Sequence, residues 1–491
     1  MSAPAGSLGR DAATAMRWNA AAAVVTLVSQ LTQVIVLARW LTPADFGLAA
    51  VALTATGFAT GIADLGMMNA LVHKDGLSQK TWAGAWWASA LAGIFLGVIL
   101  AAASFPLGRA MRLEGLPSLL AISALSLPFF GTASVFQARL QHGLRFRRLA
   151  LGEMVAAALA LAAAVGWLLW RPGPEALVVG QATLAVARCA LLGALSDLRP
   201  AFHLARASLR PLSTLGIWQM GERLLNHAAG NLDRLLVAGL LGAGPAGYYA
   251  MASQIALRPM TLLGPFIART LMPLLSRMQG EKERMAATYL RAMSLLSFAS
   301  AAVFSLLFGA ADPLLRALLG PGWEPSVPAL RVFAALGILL AAGNALGILG
   351  LALGRFGTNF WLNVAVLAAR AIAVAAGAYF GGARSGVTGA AWGMLAVTVL
   401  TLPLDFILPR AWLGVRPGAL LRACGWPLLP AALAAGAMTA LAAWMRLPAI
   451  AETLAAVIVG GAIFLAAAFA LQRARLAAAL SELQEKFVKG R

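Results

Sequence analysis

From residue 18 to residue 471 the chain is a succession of apolar runs, each about as long as a bilayer is thick, separated by short polar segments. A helix needs about 20 apolar residues to cross a membrane, and few charges can be left among them. Only 38 basic and 18 acidic side chains serve all 491 residues, 61% of which are hydrophobic. A water-soluble chain of this length would carry about twice as many charges, so soluble folds are excluded.

Windows of about 19 residues predict fourteen helical spans. They lie near 18–41, 46–71, 82–106, 116–138, 149–170, 176–195, 213–240, 247–274, 288–310, 326–352, 359–381, 386–408, 424–445 and 449–471. Residues 241–247 and 381–389 read as tight Gly-rich hairpins. The expected fold is an all-α integral membrane protein. Its expected parts are a first lobe, 1–195; a link, 196–211; a second lobe, 212–409; two further spans, 410–472; and a tail, 473–491.

An even number of spans puts both termini on one side. That side collects 24 Lys and Arg, from Arg10 and Arg17 through Arg139, Arg145, Arg147 and Arg148 to the tail. The other side has 8: Arg39, Arg109, Arg112, Arg171, Arg316, Arg331, Arg384 and Arg446. Both termini are therefore expected in the cytoplasm. The formal charge of +20 is spread singly between apolar runs, without the basic face that nucleic acid needs. Cys189 and Cys424 sit in apolar surroundings with no ligand-spaced partner, which argues packing and no metal site. The N-terminal segment has no signal-peptide pattern, so no removal is expected.

Laying Gln33–Ala52 over Asp233–Ala252 equates Ala38, Leu41, Gly47, Ala50 and Ala52 with Ala238, Leu241, Gly247, Ala250 and Ala252. Six intervening spans preserve direction, so the repeat is parallel and predicts two six-helix lobes related by an axis along the membrane normal. Spans 13 and 14 are then an addition.

Span 7 is the most polar. At 100° per residue, Gln219, Glu222, Arg223, Asn226, His227, Gly230, Asn231, Asp233 and Arg234 share one half of its wheel. Each charge at the bilayer centre costs about 2.5 kcal/mol or more, so this face must meet water or a polar partner. Two readings follow: cavity lining, or self-neutralisation by Glu222 with Arg223 and Asp233 with Arg234. Span 8 carries Arg258 and Arg269, eleven residues or roughly 16 Å apart on one face, with Pro259, Gly264 and Pro265 between them predicting a bend. Span 11 repeats the pattern with Asn359, Asn363 and Arg370. Span 1 has an uncharged stripe of Asn19, Thr26, Gln30 and Gln33. The second lobe is thus the cationic one: Arg223, Arg234, Arg258, Arg269 and Arg370 outnumber Glu222 and Asp233 on the same helices.

Asp64, in line with Thr56 and Thr60, and Asp405, in line with Thr398 and Thr401, read as isolated intramembrane acids. Such positions suit a proton or Na⁺, or a packing hydrogen bond; with Glu222 they are the candidate coupling-ion residues. His227 reads as a hydrogen-bonding wall residue that could also titrate. The basic loop 139–148 reads as an anchor on anionic lipid.

Several motifs, in order, resemble the Wzx-type polysaccharide flippases, the polysaccharide branch of the multidrug/oligosaccharidyl-lipid/polysaccharide exporter superfamily. They are LARWLTPADFG (37–47), ADLG (63–66), QARLQHGLRFRRLA (137–150), NLDRLLVAGLLGAGPAGYY (231–249), the P-x-x-S-R of Pro273 to Arg277, and LLGPGW (318–323). Pro174 and Glu175 stand where the pattern has an aromatic pair. The resemblance implies two lobes facing a central cavity, alternating access, and an undecaprenyl-pyrophosphate-linked oligosaccharide as cargo in the bacterial inner membrane. It implies a monomer acting beside a polysaccharide polymerase and glycosyltransferases, with no cofactor beyond a coupling H⁺ or Na⁺. Guanidinium matches pyrophosphate oxygens in bidentate geometry, which assigns Arg223, Arg234, Arg258, Arg269 and Arg370 to the anion. Asn226, Asn231, Asn363, Gln30, Gln33 and His227 would serve the sugars. The competing readings are a cation-coupled drug exporter of the same superfamily and a membrane glycosyltransferase or polymerase. The exporter calls for a carboxylate cluster in the first lobe, and span 1 has none within the bilayer. The enzyme calls for an acid or base near an outer acceptor, and the longest outer segment, 311–325, holds one Asp and one Glu and no His.

Overall fold

The computed structural model describes residues 5–74, 76–202, 206–278, 280–444 and 447–489. Within these, the side chains of 5–15, 206–219, 261–269, 474–489 and a few single positions lie outside the described part. The described chain is helical throughout and divides into two compact units, residues 1–247 and 248–491.

The first unit contains α1 (Ala5–Ala38), α2 (Pro43–Ala63), α3 (Met67–His73), α4 (Gln79–Met111), α5 (Leu116–Ala124), α6 (Leu127–His142), α7 (Phe146–Trp170), α8 (Glu175–Leu195) and α9 (Arg206–Leu241). Helix α7 packs on α8 and α1, α4 on α5 and α6, and α9 on α2, α3 and α4. Helix α9, expected with the second lobe, is thus grouped with the first unit. Helix α2 starts with a complete capping box: Thr42 accepts from the Asp45 N–H, the Asp45 carboxylate accepts from the Thr42 N–H, and Pro43 occupies the first turn.

Helix α10 (Ala243–Ser276) begins at the end of the first unit and carries the chain into the second. There follow α11 (Lys282–Gly309), α12 (Ala311–Leu319), α13 (Ser326–Ala352), α14 (Phe356–Thr401), α15 (Leu404–Leu413), α16 (Pro417–Gly425), α17 (Leu428–Trp444) and α18 (Ala449–Lys489). Helix α11 packs on α13 and α17, α13 on α14, and α17 on α18. Helix α14 is two arms joined at Gly382, whose φ of 57° is open to glycine and strained for other residues. The arms meet closely, Gly377 against the Gly389 carbonyl and Gly389 against the Gly377 carbonyl, with no space for a Cβ at either.

Twelve segments of the described residues are long and apolar enough to cross a membrane. Helices α9 and α10, 36 and 34 residues long, are not among the twelve, although each has the length to cross. The chain is a multi-pass membrane protein.

Three expected spans remain single membrane-length segments whose helix is interrupted at a proline, and a fourth is broken. Residues 116–138 divide into α5 and α6 before Pro128, 386–408 into the second arm of α14 and α15 at Pro403, and the thirteenth span into α16 and α17 at Pro427. Proline has no N–H to continue the ladder, which accounts for these three. The fourth break, between α2 and α3, has no proline. There Leu65 and Gly66 take left-handed φ values of 51° and 63° directly after Asp64, the residue closing α2. The bend expected in span 8 falls partly on undescribed side chains, Gly264 and Pro265; the helix assignment of α10 runs through both.

Candidate functional site

Helix α9 settles against α2 along its polar half, and the exposures divide that half into two lines. Glu222, Asn226 and Gly230, at i, i+4 and i+8, are exposed, while Arg223, His227, Asn231 and Arg234 are partly buried. The second line is bonded throughout. Arg223 forms an ion pair through Nη1 with Oδ2 of Asp64 on α2. One turn further along α9, His227 Nε2 donates to the Thr54 carbonyl at 3.0 Å and its ring meets Phe58 edge-on, centroids 4.7 Å apart. A carbonyl can only accept, so Nε2 carries the proton and Nδ1 is left as acceptor for Asn231 Nδ2 at 3.4 Å. Asn231 Nδ2 also donates to the His227 carbonyl at 3.0 Å, and its Oδ1 accepts from Arg234 Nη1 at 3.1 Å. Gly57 makes this possible, because a Cβ there would collide with the His227 ring.

Asp64 lies at the break between α2 and α3. It is 5% exposed, and its Oδ1 accepts the Gly66 N–H at 2.9 Å, satisfying a donor that the helix end would otherwise strand. The isolated acid expected from the sequence therefore has a guanidinium as partner. The hydroxyls expected beside it donate to their own helix, Thr56 to Ala52 and Thr60 to Gly57. The self-neutralising pair Glu222–Arg223 does not form: Arg223 turns to Asp64 and Glu222 is exposed.

In the first unit Gln30 and Gln33 are partly buried, and the Gln33 amide nitrogen presses on α8 where a Cβ at Gly180 would be 2.6 Å away. In the second unit Arg258 and Arg370 are half-buried and Asn363 is exposed. The Arg269 and Gln219 side chains lie outside the described residues. Asn359 staples α14 to α13 by donating to the Gly347 carbonyl at 2.8 Å. Asp405 lies in the first turn of α15, and Thr398 and Thr401 again donate to helix carbonyls, not to the acid.

The basic loop is tied to the chain itself. Arg139 Nε and Nη2 reach both oxygens of Asp197 at 3.0 and 3.3 Å, Arg145 Nη2 reaches Oδ2 at 3.4 Å, and Arg148 Nη1 donates to the Leu195 carbonyl at the end of α8. The Arg139 guanidinium also lies 5.1 Å over the Trp82 ring, and that of Arg147 lies 5.6 Å over Trp18. The hydrogen bond from Arg139 holds the Asp197 carboxyl below its ordinary range, aided by the nearby charges of Arg139 and Arg145.

Two charge clusters escaped sequence reasoning. Arg188 on α8 donates to Glu153 on α7, from Nε at 3.1 Å and Nη2 at 2.7 Å, and Nη2 also reaches Gln137 on α6 at 2.9 Å. In the second unit, Arg316 on α12 meets Asp312 at 2.6 Å and the buried Glu452 of α18 at 3.5 Å. For the first cluster the available signal was an acid and a base inside predicted spans, which lipid tolerates only when they are paired; for the second, only Glu452 lies inside a predicted span.

Residues 36–328 match the family described as "Polysaccharide biosynthesis protein". The chain is 25% identical over 406 residues to the lipopolysaccharide biosynthesis protein WzxC of Escherichia coli strain K12, covering 82% of this chain and 81% of that protein. A lipid II flippase, MurJ, in an inward closed conformation superposes with a TM-score of 0.70 at 12% identity, covering 93% of this chain and 99% of that one. An inward-facing multidrug resistance transporter of the MATE family superposes at 0.62 and 16% identity, covering 81% and 96%. These likenesses show a shared fold.

Proposed function

Because the chain belongs to the polysaccharide biosynthesis protein family, we propose that it is a flippase for a lipid-linked oligosaccharide. It carries an undecaprenyl-pyrophosphate-linked repeat unit from the cytoplasmic to the outer leaflet of the bacterial inner membrane by alternating access, with both termini cytoplasmic and fourteen helices crossing. The observation that carries this reading is the family match across 36–328. The charge of the in-span side chains supports an anionic cargo: Arg223, Arg234, Arg258, Arg269 and Arg370 take the pyrophosphate, while Asn226, Asn231, Asn363, Gln30 and Gln33 meet sugar hydroxyls.

The ion pair between α2 and α9 adds a constraint to this assignment. A guanidinium bound to a carboxylate has fewer donors left for phosphate, so pyrophosphate and Asp64 compete for Arg223. Cargo binding would release Asp64 at the α2–α3 break, where the freed carboxylate can take a proton or Na⁺.

A strain lacking the gene should lose surface polysaccharide and accumulate lipid-linked repeat units. Arg258→Ala or Arg370→Ala should reproduce this at normal protein abundance, with Arg→Lys restoring only part because the bidentate geometry is lost. Normal surface polymer and no accumulation in the null strain would overturn the reading. Efflux of organic cations by the purified protein in its place would favour the drug-exporter alternative that the MATE likeness keeps open.

A further inference from the structure

Glu153, Arg188 and Gln137 come from three different helices and meet inside the membrane-spanning part of the first unit. Seven residues separate Glu153 from the start of α7 and Arg188 from the end of α8, so both lie roughly 10 Å in from the two helix ends that the bond from Arg148 to the Leu195 carbonyl links. Lipid does not face them. Along this stretch the large exposed apolar residues of α7 are Leu151, Val155 and Leu159, and α8 exposes Val186. Glu153 is two residues from both Leu151 and Val155, and Arg188 is two from Val186, which is about 200° around each wheel. The charged pair points away from the lipid-facing stripes and is still 23% and 21% exposed at Arg188 and Glu153. A charged, accessible surface opposite the lipid stripe must meet water or a polar ligand.

The hydrogen-bond accounting says what kind of ligand. Both donors from Arg188 fall on the same oxygen of Glu153, Oε1, and Gln137 receives Nη2 through its own Oε1. Left over are Glu153 Oε2 as acceptor, and Arg188 Nη1 and Gln137 Nε2 as donors; none is buried without a partner. An anion would be repelled by Glu153 and a cation by Arg188. A neutral group that both donates and accepts, with two such functions side by side, suits the set. Vicinal sugar hydroxyls have that chemistry. Two turns outward along α8, Gly180 brings the Gln33 amide onto the same helix, continuing the uncharged polar surface.

We infer that Glu153, Arg188 and Gln137 form a sugar-hydroxyl subsite of the first unit that reads the oligosaccharide of the cargo. This rests on the flippase reading above. The pyrophosphate is common to every such cargo, whereas the subsite contributes to the choice among sugars, because a polar site left unmatched discriminates strongly.

The test uses the full-length protein in vesicles and two probes: undecaprenyl pyrophosphate carrying one sugar, and the same lipid carrying the complete repeat unit extracted from the producing strain. In Glu153→Gln the ratio of complete-unit to single-sugar transport should fall about tenfold, the scale of one lost hydrogen bond to a charged group. If Glu153→Gln does not accumulate because Arg188 loses its counter-charge, Gln137→Ala, which leaves the ion pair intact, is measured for the same fall. A ratio unchanged in whichever variant accumulates, with wild type moving both probes, overturns the subsite alone. Wild type moving neither probe overturns the transport reading and the subsite with it.

Discussion

Asp64 has two oxygens and a separate use for each: Oδ1 closes the backbone at the α2–α3 break and Oδ2 holds Arg223. Removing Arg223 leaves the buried Asp64 charge without compensation, at a cost of about 3–5 kcal/mol, and removing Asp64 costs less because Arg223 is 33% exposed. Asp64→Asn and Arg223→Gln should therefore each lower the amount of folded protein, and the double variant should recover most of it. Transport should be lost in the double variant, because under the proposed reading the guanidinium is also a cargo contact. Wild-type transport by the double variant in vesicles would make the pair purely structural. The sequence marked both residues as polar and in-span but could not join them. They are 159 positions apart, and the wheel reports only which face of α9 is polar, not what meets it. His227 was legible as a hydrogen-bonding residue for the same reason that Thr54 was not legible as its partner: the acceptor is a backbone carbonyl, identical at every position.

At the scale of helices and loops, hydropathy located the spans because length and apolar content are what lipid requires. A 19-residue window averages over a break, however, so α2 with α3 was seen as one span. Pro128, Pro403 and Pro427 carried a readable signal for three breaks, while the Asp-Leu-Gly at 64–66 carried only its glycine. The short hairpins were legible through Gly242 and Gly382, both with positive φ in the structure. The repeat also left a physical trace: a Cβ on Gly47 would strike the Ala243 carbonyl, and one on Gly247 would strike the Pro43 carbonyl, so positions offset by 200 meet reciprocally. The 139–148 loop was expected to sit on lipid, and the structure adds that its arginines are engaged with Asp197 and a helix end. Since the Asp197 pKa is lowered from 3.8 in the folded chain, its contribution is present above the ordinary carboxylate value and is lost as pH falls through the lowered one. The carboxylate is 44% exposed, so solvent screening keeps the gain below about 1 kcal/mol. Asp197→Asn should lower the melting temperature slightly at neutral pH, with the difference from wild type vanishing below the carboxylate range and shrinking in high salt. A difference that persists in acid would assign the effect to packing.

For the molecule as a whole, the 24-to-8 distribution of Lys and Arg is the basis of the proposed orientation, and orientation decides the energetics. Under the proposed reading, with the basic side in the cytoplasm, a pyrophosphate of two or more negative charges would move outward down the electrical gradient, a gain of about 2.3 kcal/mol per charge per 100 mV. The costly step is the return of the empty carrier, when the in-span arginines have lost their anion. The ion pair bears on this step, because Asp64 supplies Arg223 with an internal counter-charge. An imposed potassium diffusion potential of physiological sign should therefore accelerate net cargo export in vesicles, and the reversed potential should slow it. Asp64→Asn, assayed per folded molecule, should leave a single round of cargo binding intact and slow repeated turnover, since its Arg223 returns unpaired. The slowing should deepen as ionic strength falls, because unscreened repulsion among the arginines grows. Turnover indifferent to the sign of the potential would remove the electrical drive. Repeated turnover unchanged in Asp64→Asn would show that the return step does not depend on this carboxylate.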